Sequence, residues 1–279
     1  MIYLGRNLLY TLFTLSITFG SALFFSGCTE ETNPVETSPD LQTIHLRFAP
    51  YFGTEPLQLG EKYLTTAGDT IVLTTAMFYA SEYALVNVDG SESTLEGITL
   101  VDFGDSQLSS EGYFEVDLKG EEGTYRGLKF NVGVPFDQNH RDVSTQSEPL
   151  GPNSGMYWSW NPGYIFFKVE GRVDSIGTPV NFLYHTGEDN RRKTIRLASL
   201  NGNDITEFVV EASDGHTDHE HNVFTVKVDY SKFFEQGVEI GQPMQVKMKV
   251  AERTNHVGPK DLADRTAANF AEMFSWVGE

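Results

Sequence analysis

From Leu41 onward the chain alternates. In "TIHLRF", Ile44, Leu46 and Phe48 stand on one side of an extended segment and His45 and Arg47 on the other. That is the period of two of a half-buried strand. "TIVLTTAMFYASEYALV" is dense in Thr, Val, Ile and aromatic residues and predicts one long strand or two. Further runs follow: "EGYFEVDLKG", "YRGLKFNVGVP", "GYIFFKVEGRV", "VNFLYHTG", "KTIRLASL", "TEFVVEA", "NVFTVKVDY" and "QPMQVKMKV", divided by Gly, Asn, Asp and Pro. About ten short strands without helices between them predict an all-β fold, an antiparallel β-sandwich. The end differs. "GPKDLADRTAANFAEMFSWV" puts Leu262, Thr266, Phe270, Met273 and Val277 at helical spacing, with Pro259 before and Gly278 after. This predicts one C-terminal amphipathic helix, carrying Trp276, packed on the sandwich. No domain boundary interrupts residues 41–279, which read as a single domain.

The first 40 residues have another pattern. Residues 1–28 carry Arg6, then an apolar run from Leu8 to Phe25, then Phe25-Ser26-Gly27-Cys28. This reads as a secretory signal. It resembles a bacterial lipoprotein signal, which implies that Cys28 becomes the acylated N-terminus. The protein would then sit in the periplasm or at the cell surface, held to a bacterial membrane by its lipid. An uncleaved anchor helix is the rival reading, because the apolar run barely reaches the length of a bilayer span. Both readings export and tether the domain. Residues 29–40, "TEETNPVETSPD", have nothing to bury and read as a disordered tether.

Cys28 is the only cysteine. An exported domain without disulfides rests on its core alone, and no thiolate site is open to it away from the N-terminus. The formal charge of −19 repels nucleic acid and tolerates cations. It also serves solubility.

In such a chain imidazole is the natural ligand for a soft or borderline metal, and Met156 and Met244 offer thioether sulfur. There are seven histidines. His140 follows a strand and a Gly-Pro exit in "GVPFDQNHRD", a loop position open either to a metal or to a loop-stabilising hydrogen bond. His185 in "NFLYHTG" shares a face with Leu183, opposite Phe182 and Tyr184; a satisfied strand histidine is the competing reading. His45 shares the solvent side of its strand with Arg47. "SDGHTDHEHNVF" crowds His216, His219 and His221 among acidic residues, and His219 and His221 form an H-x-H chelate in an extended run. This suits an accessory site for zinc or nickel, or is the biased composition of an exposed hairpin tip. His256 stands alone near the C-terminus. Hydrolase and phosphate-loop motifs are absent from the sequence, and the expectation is a protein that is not an enzyme.

"LKFNVGVPFDQNHRD", "EPLGPNSGMYWSWNPGYIFFKVEGR" and "FLYHTG" occur in that order. Over this block, with "TTAMFYASEYALV" upstream and "AANFAEMF" downstream, the chain resembles the MbnP-like proteins, the methanobactin-partner family of exported bacterial copper-binding proteins. The resemblance spans residues 41–279 and is strongest over 128–187. It implies an all-β, periplasmic or surface-tethered protein that binds copper with histidines and a tryptophan oxidised to kynurenine. It also implies a di-haem partner related to cytochrome c peroxidases that performs the oxidation. The matching positions are Asn139-His140, Trp158, Trp160 and His185. The family's histidine near the end of the first strand has no counterpart in "LRFAPYFG", and His45 is the nearest third candidate.

The reading is therefore a lipid-anchored copper protein, with Cu(I) on His140 and His185 beside Trp158 or Trp160, for capture, storage or handover of the metal at the envelope. The rival is a metal-free binding module, gripping carbohydrate or protein through Tyr157, Trp158, Trp160 and Tyr164.

Overall fold

The alternation of "TIHLRF" becomes an eleven-residue strand whose side chains switch strictly between buried and half-buried. The computed structural model describes residues 40–277, apart from 105, 159–162, 175–177, 199, 202–203, 213–220, 238–242 and 246–259. Cys28 and the signal, most of the tether, Trp160, His216, His219 and His256 lie outside the described residues. Among the described residues no helix is long and apolar enough to cross a membrane.

The principal strands are β1 (Gln42–Phe52), β2 (Thr70–Asn87), β3 (Ile98–Asp102), β4 (Phe114–Gly120), β5 (Gly123–Val132), β6 (Ile165–Val173), β7 (Val180–Gly187), β8 (Lys193–Ala198), β9 (Val223–Asp229) and β10 (Phe274–Val277). The first sheet runs β10–β9–β1–β4. β1 and β4 are antiparallel, with His45 opposite Asp117 and Arg47 opposite Glu115. β1 and β9 are parallel, from His45 opposite Val223 to Tyr51 opposite Asp229. The sandwich is otherwise antiparallel among the described strands, as the sequence predicts.

The second sheet runs β7–β6–β2–β5–β8, with β3 also on β2. The "TIVLTTAMFYASEYALV" run is one strand of eighteen residues, broken by a register shift between Ser81 and Ala84 where Glu82 takes φ 50°. β3 covers one side of it from Met77 to Ser81. On the other side Phe78 faces Phe167 of β6, while Ala80 faces Val132 of β5. β5 therefore ends and β6 begins along the same flank, and the seam between them falls at Tyr79. Gly133 N–H donates to the Tyr79 carbonyl at 2.9 Å, and the Ser81 hydroxyl donates to the Gly133 carbonyl at 2.7 Å. The chain from β5 to β6 leaves and re-enters at this seam. The turn from β7 to β8 passes the same place, because β7 pairs with β6 and β8 with β5.

The inward faces of both sheets meet in an aromatic core. Phe48 of β1 lies edge-on to Phe78 of β2 and Phe130 of β5, each at 5.5 Å between ring centres. Edge-to-face contact suits the ring quadrupole and adds to the large apolar area buried. A second, smaller cluster lies at the seam: Tyr79, Val134, Leu150, Met156, Trp158, Tyr164, Ile165 and Phe166.

The C-terminus forms the short helical segment that its spacing predicts, but the segment ends before Trp276. Leu262, Thr266, Phe270 and Met273 are buried as the stripe requires. Yet α2 (Lys260–Ala268) and α3 (Phe270–Met273) are separate, and the chain becomes extended at Phe274; here α1 is the single turn Phe136–Asn139. Trp276 is therefore on strand β10, half-buried against Phe208 and Phe224, and not on a helix. β9 offers an open row of backbone donors and acceptors, and pairing "FSWV" with it satisfies groups that another helical turn would leave at a helix end.

Candidate functional site

Pro135 ends the run out of β5, and α1 turns the chain so that Asn139 points inward and His140 outward. The Asn139 amide closes the seam from both ends. Its oxygen accepts the Tyr164 N–H at 2.8 Å, and its nitrogen donates to Asp189 Oδ1 at 2.8 Å. The other oxygen of Asp189 takes His140 Nε2 at 2.8 Å. Burial raises the Asp189 pKa, but the hydrogen bonds from His140 and Asn139 outweigh it and leave the carboxyl below its ordinary range. An ionised Asp189 accepts only, so the nitrogen facing it carries the hydrogen. The imidazole is thereby oriented by a carboxylate, as metal-ligating histidines commonly are, with Nδ1 facing away from Asp189. The His140 side chain is 52% exposed, and the equally open Phe136 ring lies 4.4 Å from it.

Trp158 closes the same place from below. Its backbone N–H donates to the Gly163 carbonyl, which anchors the return of the chain towards β6. The Cζ3 and Cη2 atoms of the indole lie close against Gly187, two residues before Asp189: a Cβ there would sit 2.6 Å from Trp158 Cζ3 and 2.4 Å from the Tyr164 carbonyl. Tyr164 is wholly buried; its hydroxyl donates to the Leu150 carbonyl and accepts from Gln146. Its pKa is pushed up to about 12 by burial and by Tyr157 and Glu148 nearby. Trp158 and Tyr164 thus turn no open face to solvent, and the stacking platform of the binding-module reading lacks two of its four rings.

His185 lies where alternation puts it, on the outer face of β7 with Leu183. Its Nε2 is 2.7 Å from Glu170 Oε1 across the strand pair. Burial raises the Glu170 pKa; the hydrogen bond from His185 and the charge of Lys168 more than reverse this. The two central histidines therefore each face a carboxylate of their own, Asp189 for His140 and Glu170 for His185. Two ligands of one metal need ring nitrogens within about 4 Å of each other, given bonds near 2 Å. Joint ligation would use the ring nitrogens turned away from these carboxylates, each carboxylate staying as the orienting partner.

His45 stands elsewhere, on the first sheet. Its Nδ1 is 2.8 Å from Asp117 and 3.6 Å from Glu115. Among the described residues these three form the group whose donor atoms all lie within 4.8 Å of one another, and neither His140 nor His185 belongs to it. Of the crowded histidine run only His221 is described; it is exposed, 3.7 Å from Glu211.

Asp189, Glu170, Glu115 and Asp117 escape sequence reasoning. Alternation puts Glu115 and Asp117 on the outer face of their strand, but nothing local says that this strand pairs with β1. Asp189 follows the end of β7 in plain view, yet its partners lie about 50 residues away.

Residues 41–251 match the family model for MbnP. No curated protein matches the chain. Among solved structures it is similar to MbnP from Methylosinus trichosporium, at 18% identity and a TM-score of 0.48, over 73% of this chain and 83% of that one. With a family model matched over most of its length, from the first strand of the sandwich through the seam and beyond, the chain belongs to the MbnP family.

Proposed function

We propose that this protein binds copper at the bacterial envelope, anchored by a lipid on Cys28, and captures, stores or hands over the metal without catalytic turnover. Membership of the MbnP family supports a copper-related role. One observation carries the assignment to the seam: β7 ends with Gly187 under the Trp158 ring and Asp189 follows at once on His140 and Asn139. Residues scattered over 139–189 thus converge on one turn. The donor chemistry fits, since neutral imidazoles suit Cu(I), which accepts few, soft ligands. His140 presents an exposed, oriented ring, and His185 is the second ligand in this reading. When bound, copper would supply a redox-active centre beside an indole. The chain's own part is to orient His140 through Asp189, to fix the loop through Asn139, and to keep water from one side with Trp158 and Phe136. Oxidation of Trp158 or Trp160 to kynurenine by a di-haem partner belongs to the same reading.

The test is metal analysis of protein produced with copper, compared with His140→Ala and His185→Ala. Each variant should lose most of its copper, and peptide mapping over 156–167 reports whether a tryptophan has changed mass. Full copper retention by the double variant sinks the assignment.

A further inference from the structure

The geometry points to a second metal site, for a divalent cation of zinc type, on the outer face of the first sheet: His45, Glu115 and Asp117. Strand pairing builds it. His45 on β1 stands directly opposite Asp117 on β4, and Glu115 is two residues from Asp117 on the same face. No flexible loop contributes a donor. His45 Nδ1 lies 2.8 Å from Asp117 Oδ1 and 3.6 Å from Glu115 Oε1. Bonds of about 2.0–2.1 Å to a tetrahedral zinc ion place ligand atoms ~3.3 Å apart, midway between those separations. Shifts of about half an ångström, within rotamer adjustment of exposed carboxylates, would complete three corners and leave one for water.

The neighbours fit the assignment. Arg47 Nε holds Glu115 Oε2 at 2.7 Å, and the guanidinium is itself seated 4.3 Å over the Tyr113 ring. Glu115 is therefore fixed by one oxygen, and the other is turned to His45. The imidazole side chain is only 17% exposed, so little rotamer freedom remains to be lost on binding. The donor set of one imidazole and two anionic carboxylates is too hard for Cu(I) and suits a borderline divalent ion. The site is thus chemically distinct from the proposed copper site and independent of it.

Zinc alone is the probe, titrated by calorimetry into the demetallated protein. The background carries His216→Ala, His219→Ala and His221→Ala, so that the histidine run cannot contribute. One zinc ion should bind per chain. His45→Ala, and separately the pair Glu115→Gln and Asp117→Asn, should weaken binding at least tenfold, while His140→Ala leaves it unchanged. An unchanged melting temperature without zinc shows that each variant is folded. Absence of zinc binding in the background protein overturns the site. So does unchanged affinity in folded His45→Ala, or loss of zinc in His140→Ala.

Discussion

Gly187→Ala tests the seam without touching a candidate ligand. The added Cβ would lie 2.4 Å from the Tyr164 carbonyl and 2.6 and 2.8 Å from Cζ3 and Cη2 of Trp158. All three are far inside van der Waals contact. The Tyr164 carbonyl is backbone at the entry to β6, and it cannot retreat without disturbing the β6–β7 ladder, in which Gly187 stands opposite Ile165. The indole is packed among Tyr79, Leu150, Met156 and Phe166, so it has little room either. Overpacking of this kind costs about 1–3 kcal/mol. For a domain of this size each kcal/mol lowers Tm by about 2–4 °C, so the drop should be about 2–12 °C. Urea unfolding followed by far-UV circular dichroism measures the loss, and the near-UV indole signal should change with it, because the ring must move. A Gly187→Ala protein with the parent's urea midpoint and near-UV spectrum would show that Trp158 is not seated on Gly187 and that β7 does not end against the indole.

Asn139→Ala should cost about 1–3 kcal/mol, because it strands the buried Tyr164 N–H and removes a donor from Asp189; denaturant unfolding checks it. Asn139→Asp should be worse at neutral pH than at acid pH, since it sets a second carboxylate against Asp189. Asp189 and Glu170 are both held below the ordinary carboxylate range, so the native state binds fewer protons than the unfolded chain there. Their contribution to stability is full above the unfolded value and falls away as pH drops through the lowered one. Asp189→Asn should therefore flatten the acid limb of a stability–pH curve, and an unaltered limb would exclude Asp189 as a source of it.

Much of the architecture is legible locally. Ile44, Leu46 and Phe48 announce their buried side by alternation alone, and so do Phe182 and Tyr184 against Leu183 and His185. The C-terminal stripe of Leu262, Thr266, Phe270 and Met273 is equally plain, because a period of 3.6 fixes one face whatever that face meets. Where the helix stops is not legible. "FSWV" leaves it for a partner strand about 50 residues earlier in the chain, and local spacing cannot register a partner at that distance.

The candidate sites divide in the same way. Sequence determined that the chemistry here rests on imidazole and carboxylate, because the one cysteine stands at residue 28, and it determined which face of its strand each strand histidine takes. Tertiary structure alone decided which carboxylate each histidine meets: Asp189 for His140, Glu170 for His185, and Glu115 with Asp117 for His45. Side-chain direction follows from the backbone period of a few residues. Juxtaposition follows from strand pairing and from the seam along β2, and both are properties of the whole chain.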